Sequence, residues 1–235
     1  PAKLRRTVTE TSINRELGLL RSALRDVAKR RPKMLSSVPY FPMEEEHNAR
    51  QGFVSERDFA ENLYPQLPRH LRALAACAFY VGGRKSEWLR VDWEDVDFDA
   101  LVIRFVTTKN RYPREVPIVP GLMLESLREA LNVHNAAWPE EPVVFAYDGH
   151  RMSTVGAAWK KACERAGHSG LMFHDLRRSA NKNMRDRGIS QGVRMQIMGH
   201  RTASMDLRYG IVDREDITAA REKLATAAPK LKRVK

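Results

Sequence analysis

Apolar residues along this chain recur at helical spacing in most windows and alternate in only one. Residues 9 to 31 place Ile13, Leu17, Leu20 and Leu24 four, three and four apart, which predicts an amphipathic helix with a densely basic opposite face. The stretch PKMLSSVPYFPMEEEHNARQG follows, with three prolines, a serine pair and an acidic triplet, and reads as a linker with a boundary near residue 50. Ser55, with Asp58 three positions on, resembles a capping box that opens a helix through about Leu63, and Pro65 lies just beyond. A second helix begins near Pro68, uses Leu71, Leu74, Ala75 and Phe79, and stops at Gly82 and Gly83. SEWLRVDWEDV offers a short helix after it.

Alternation appears in LVIRFV, where Leu101, Ile103 and Phe105 share one face. EVPIV follows after a polar turn, so the two runs predict a hairpin, and Pro117 assigns its second strand to an edge. Beyond Gly121 the pattern predicts helices over 122–137, 153–166, 174–187, 190–198, 203–209 and 214–225, interrupted by a short strand in PVVFA. Many helices with one small antiparallel sheet place the chain in the α+β class, mainly helical.

Composition narrows the partners. The 235 residues, 43% of them hydrophobic, suffice for one large domain, predicted over 51–235, behind a fragment of another over 1–50. Forty-one Lys and Arg against 29 Asp and Glu leave a formal charge of +12, which favours nucleic acid or an anionic membrane surface. No apolar run approaches the roughly 20 residues needed to span a bilayer, and no secretory signal opens the chain, so the expectation is a soluble, cytoplasmic protein. Cys77 and Cys163 form no CxxC pair and read as small core residues.

Several residues could do chemistry. In FHDLRRSANKN, His174 and Arg177 stand three apart on a predicted helix and leave the same face. RGISQGVRMQIMGH supplies an N-cap in Ser190, an apolar stripe in Val193 and Ile197, and a terminal Gly199, so His200 is delivered at a helix end. Tyr209 follows nine positions later. Taken singly, each has a bland reading: a structural histidine, a packed tyrosine, a solvated arginine, Arg84 as a helix-end cation, Lys109 as a turn residue. Together they form a kit for phosphoryl transfer, which needs a placed nucleophile, cations around the non-bridging oxygens and an acid for the leaving oxygen. Tyr209 can attack, Arg84 and Arg177 can hold the phosphate by forked donors, His174 and His200 can donate to it or exchange the phenolic proton, and Lys109 can protonate the leaving oxygen. No phosphate-binding glycine loop, HExxH, EF-hand loop or Cys/His cluster appears, so neither a cofactor nor a metal is expected.

In order along the chain, GGRKSE, TTKN, HDLRRSA, MGH and RYG resemble the motifs of the tyrosine recombinase, or phage integrase, family over about residues 55 to 225. The front helix, NRELGLLRSALRDVAKR, is similar to the closing helix of that family's core-binding domain, although the segment is much shorter than a full one. The resemblance implies a tyrosine-recombinase catalytic fold acting on double-stranded DNA. Tyr209 would form a 3′-phosphotyrosine and release a 5′-hydroxyl, Arg84, His174, Arg177 and His200 would stabilise the transition state, and Lys109 would protonate the departing oxygen. It further implies a homotetramer on synapsed duplexes, with the helix near 214–225 packing on a neighbouring subunit, and no metal or ATP. VGGR departs from the more usual T-G-x-R around the first arginine. Two other functions fit less well: a DNA-binding protein of the same fold without activity, and a type IB topoisomerase-like enzyme. Arg104, Arg111, Arg114, Lys160, Lys161, Arg178, Lys182 and Arg201 are expected to include contacts to the phosphate backbone.

Overall fold

The computed structural model describes residues 9–30, 35, 37–45, 52–106 and 113–209, with side chains at all of these except 30 and 207–209. The chain divides into two compact units, Pro1–Arg50 and Gln51–Lys235. In the first, α1 (Glu10–Arg30) is the predicted amphipathic helix. Its stripe is not buried within this unit, since Ile13 and Leu20 stay exposed, and Asn14 is the one buried polar side chain described there, exchanging two hydrogen bonds with the Glu44 backbone.

The second unit opens where the capping pattern indicates: Ser55 Oγ accepts from the Asp58 amide and starts α2 (Glu56–Asp58). The helix continues as a π turn over Phe59–Leu63 and a 3-10 turn over Tyr64–Gln66 that contains Pro65 near its start. The π turn drives Phe59 and Leu63 into the core, where the Phe59 ring stacks on Phe79 at 4.0 Å. That phenylalanine belongs to α3 (Arg69–Val81), an almost wholly buried helix at the centre of the unit. A short α4 (Lys85–Trp88) and a 3-10 turn, Trp93–Asp95, lead into the sheet.

Three strands, β1 (Val96–Asp97), β2 (Val102–Phe105) and β3 (Arg114–Pro117), form an antiparallel sheet in that order. Ile103 pairs with Val116 on the core face, and β3 takes the edge that Pro117 requires. The two-residue β1 carries too little pattern to be read from sequence. α5 (Leu122–Ala137) covers the predicted 122–137 and packs on α3. The apolar run Val143, Val144, Phe145 is buried but makes no ladder beyond a single bridge, Asp92 to Val143. The ladder lies one step later, between β4 (Ala146–Tyr147) and β5 (His150–Arg151), because Asp148 and Gly149 at positive φ close a two-residue hairpin.

α6 (Gly156–Arg165), α7 (Leu176–Asp186), α8 (Gln191–Met198) and α9 (Ala203–Tyr209) complete the described unit, all within the predicted spans. The predicted helix near 214–225 lies outside the described residues. Cys77 and Cys163 are buried, free core residues as expected. The fold is mainly helical α+β with small antiparallel sheets. Its last helices build outward from the central one: α7 packs against α3, and α8 and α9 pack against α7.

Candidate active site

The end of α3 sets the geometry. Gly82 adopts φ +81, and a Cβ there would come within 3.0 Å of Ala180 Cβ and Met198 Cε, so the turn admits only glycine while α7 and α8 press against it. Its carbonyl accepts a hydrogen bond from Arg177 Nη1 at 3.4 Å, and Arg177 is buried. Two residues on, Arg84 caps α4. Glu87, one turn later, accepts from the Arg84 backbone amide at 2.9 Å and from its Nη1 at 2.8 Å. Arg84 Nη2 reaches across to the Gly199 carbonyl at 3.3 Å, tying α4 to the end of α8.

Glu87 is only 2% exposed and serves a second guanidinium. Arg114, the first residue of β3, donates to both its oxygens, at 2.8 and 3.4 Å, and to the Ile197 carbonyl at 3.1 Å, while its guanidinium lies over the Phe105 ring at 4.4 Å. Burial acts to raise the Glu87 pKa, but the bonds from Arg114 and Arg84 outweigh it and hold the carboxyl below its ordinary value. Gly199, at φ +69, leaves the room this guanidinium occupies: a Cβ there would meet Arg114 Cζ at 2.9 Å.

His174 lies in a 3-10 turn, Phe173–Asp175, ahead of α7 rather than inside the helix. It stays within one turn of Arg177 and open to solvent, yet partial burial and the positive charges of Arg177, Arg178 and Arg84 lower its pKa against the opposing pull of Asp175. A cavity of about 500 Å³ opens beside it, lined among others by Lys85, Lys160, Thr154, Trp159 and Met172. His200 is buried. Desolvation, Arg177 and Arg84 lower its pKa to about 4, although Asp206 pulls the other way. The described geometry thus brings Arg84, His174, Arg177 and His200 around the junction of the α3 and α8 ends. Tyr209 is the last residue of α9; its side chain is not among those described, and Lys109 lies outside the described residues. Among the described residues no group of His, Cys, Asp or Glu is arranged to hold a metal ion.

Three readings of the sequence need correction. Arg114 does not face a phosphate backbone: it is internal, and Glu87 and Ile197 satisfy it. Lys182 is likewise mostly buried, paired to Asp186 at 3.0 Å and set near the Phe53 ring. On α8 the inward position is Arg194 rather than Val193, which is exposed, because Arg194 finds Asp206 at 3.0 Å, Asn181 at 3.1 Å and the Ile189 carbonyl at 2.7 Å. A buried arginine looks polar in any periodicity count, so its partners Asp206 and Asn181 gave no signal either. Ser190 opens α8 without a side-chain cap.

Residues 57–215, more than half of the chain, match the sequence profile of the phage integrase family. The chain belongs to the phage integrase family. The integrase of Salmonella phage P22 is 23% identical over 208 residues, covering 82% of this chain and 52% of that protein, so the chain spans about half the length of that relative. Among solved structures, XerA recombinase matches with a TM-score of 0.66 at 20% identity, covering 97% of this chain and 86% of that one. The Tn1549 transposon integrase in complex with circular intermediate DNA reaches a TM-score of 0.72 at 15% identity, over 92% of this chain and 80% of that one. A lambda integrase dimer bound to a core site gives 0.58 at 16% identity, over 89% and 66%. The fold of this family member is therefore the tyrosine recombinase fold.

Proposed function

We propose that this member of the phage integrase family is a site-specific DNA recombinase of a prophage or mobile element, cutting and rejoining strands through a 3′-phosphotyrosine. The observation that carries the reading is the convergence of Arg84, Arg177, His174 and His200 at the junction of α3, α7 and α8, against which the helix ending in Tyr209 packs. In the proposed step the Tyr209 oxygen bonds to phosphorus as the bond to the 5′ oxygen breaks. The phenolic proton passes to an imidazole, and the leaving oxygen takes a proton from Lys109. Arg84 and Arg177 offset the charge that develops on the non-bridging oxygens, the part a metal plays in other phosphoryl transfers. Because the phosphotyrosine conserves the bond energy, a 5′-hydroxyl from a partner strand reverses the step without ATP. Residues 1–50 are read as the end of a core-binding domain and its linker, and the working assembly as a tetramer on two duplexes.

The test is covalent trapping. A nicked suicide duplex carrying the DNA that flanks the source gene is incubated with the protein in EDTA and run on a denaturing gel. A DNA adduct that Tyr209→Phe abolishes is the expected result. An adduct that persists in the variant, or that forms only with magnesium, overturns the mechanism.

A further inference from the structure

Behind His200 lies a buried polar chain that plays no part in the reaction as proposed. Asp206, 3% exposed on α9, places Oδ1 3.4 Å from His200 Nδ1. Its Oδ2 accepts from Arg194 Nη2 at 3.0 Å and from Gln191 Nε2 at 3.3 Å, and its backbone carbonyl accepts from Asn181 Nδ2 at 3.3 Å. Asn181 turns its own oxygen to Arg194 Nε at 3.1 Å. Arg194 and Gln191 thus hold the carboxylate in one orientation while Asn181 orients Arg194 and ties down the Asp206 backbone, so α7, α8 and α9 each contribute to fixing it.

A carboxylate ion-paired to a guanidinium has only lone pairs to offer, so the imidazole nitrogen that meets it must carry the hydrogen. We infer that Asp206 is a positioning residue that locks His200 as the Nδ1–H tautomer and so leaves the lone pair on Nε2. For the cleavage proposed above, on which this part of the inference rests, Nε2 is then a proton acceptor in the resting site rather than a donor to the phosphate. The Tyr209 proton moves to Nε2 as its oxygen bonds to phosphorus, and Asp206 stabilises the resulting imidazolium. Among the described residues, the charged and titratable groups around His200 include Arg177 from α7, Arg84 from the start of α4, Asp206 from α9 and, through Asp206, Arg194 of α8. With burial first and the two arginines second outweighing Asp206, the ring is neutral at pH 7 until a phosphate approaches.

Asp206→Asn makes a sharp test because the network dictates how the amide must sit. Arg194 and Gln191 both donate toward Oδ2, so the carbonyl oxygen of the new amide faces them and its NH2 faces His200 Nδ1. Nδ1 must then accept, and the hydrogen moves to Nε2. With 15N-histidine labelling of the DNA-free protein, two-bond proton–nitrogen spectra report each tautomer, and loss of signals in His200→Gln assigns the residue. The expected result is Nδ1–H in the parent at pH 7 and Nε2–H in Asp206→Asn. With it, adduct formation falls by about 10²- to 10⁴-fold at unchanged non-covalent DNA affinity, the range for misplacing a catalytic proton. Asp206→Ala with Arg194→Met removes the acceptor without leaving an unpaired cation and should also release Nδ1–H. A parent His200 found as Nε2–H or as imidazolium at pH 7, or an Nδ1–H form that survives Asp206→Asn, overturns the inference. Equal losses of DNA affinity and cleavage in the variants overturn it as well. The spectra need no DNA, so a parent protein that shows the tautomer switch but forms no adduct would refute the recombinase reading alone.

Discussion

Replacing Glu87 with Gln tests whether one buried carboxylate organises the first arginine. Gln keeps the shape and one acceptor oxygen, but its NH2 confronts guanidinium groups that also only donate. The parent side chain receives bonds at 2.8 Å from Arg84 and at 2.8 and 3.4 Å from Arg114, plus the Arg84 amide at 2.9 Å. Removing one partner of a buried ion pair costs ~3–5 kcal/mol. Arg84 keeps 28% of its side chain in solvent and recovers some hydration, whereas Arg114 keeps 8% and does not, so the lower end, about 3 kcal/mol, applies. For a unit of this size that is a fall in Tm of roughly 6–12 °C, read by circular dichroism and by the urea midpoint. The pH profile provides a second reading. A carboxyl held below its ordinary value adds stability that is present above the unfolded value of about 4.3 and is lost as pH falls through the lower folded value. The variant should lack that acid component. A loss under about 1 kcal/mol with an unchanged acid limb would refute the claim that Glu87 carries the two arginines.

Three other perturbations have outcomes set by the described geometry. Gly82→Ala meets a left-handed φ and two atoms at 3.0 Å, so it should cost about 1–3 kcal/mol in urea unfolding and weaken adduct formation, since the carbonyl that Arg177 uses must move. His200 has a folded pKa of about 4, below the ordinary 6.5, so the unfolded chain binds the extra proton and stability falls as pH drops from about 6.5 to 4. His200→Gln should flatten Tm in that window, and an unchanged slope would refute the assignment. Leu74→Ala, at the fully buried centre of α3, should cost ~2–5 kcal/mol by the same unfolding assay, and a loss under about 1 kcal/mol would mean the core is not organised around that helix.

Long amphipathic helices and the alternating hairpin were legible in the sequence because each element's periodicity is set by one buried face. The helices over 122–137 and 190–198 and the edge placement of Pro117 agree with the structure for that reason. Elements held by tertiary contact were not legible: the two-residue β1, the π turn at Phe59–Leu63, and the apolar run at Val143 that is buried with a single bridge in place of a ladder. The same division runs through the site. Arg84, His174, Arg177 and His200 stand in recognisable motifs and meet in the fold. Arg114, Arg194, Asn181 and Asp206 hold the site from behind, and their value comes largely from pairings across 12 to 83 positions of chain that no local pattern records.

Glu87 is a single anion divided between two guanidinium groups, and the oxygens of Gly199 and Gly82, which accept from Arg84 and Arg177, are dipoles rather than ions. Rigidity and neutralisation are thereby separated: a shared anion and neutral carbonyls immobilise the cations without cancelling the whole of their field. In the reaction proposed above, an arriving phosphodiester would meet an electrostatic pull that is already aimed before it binds.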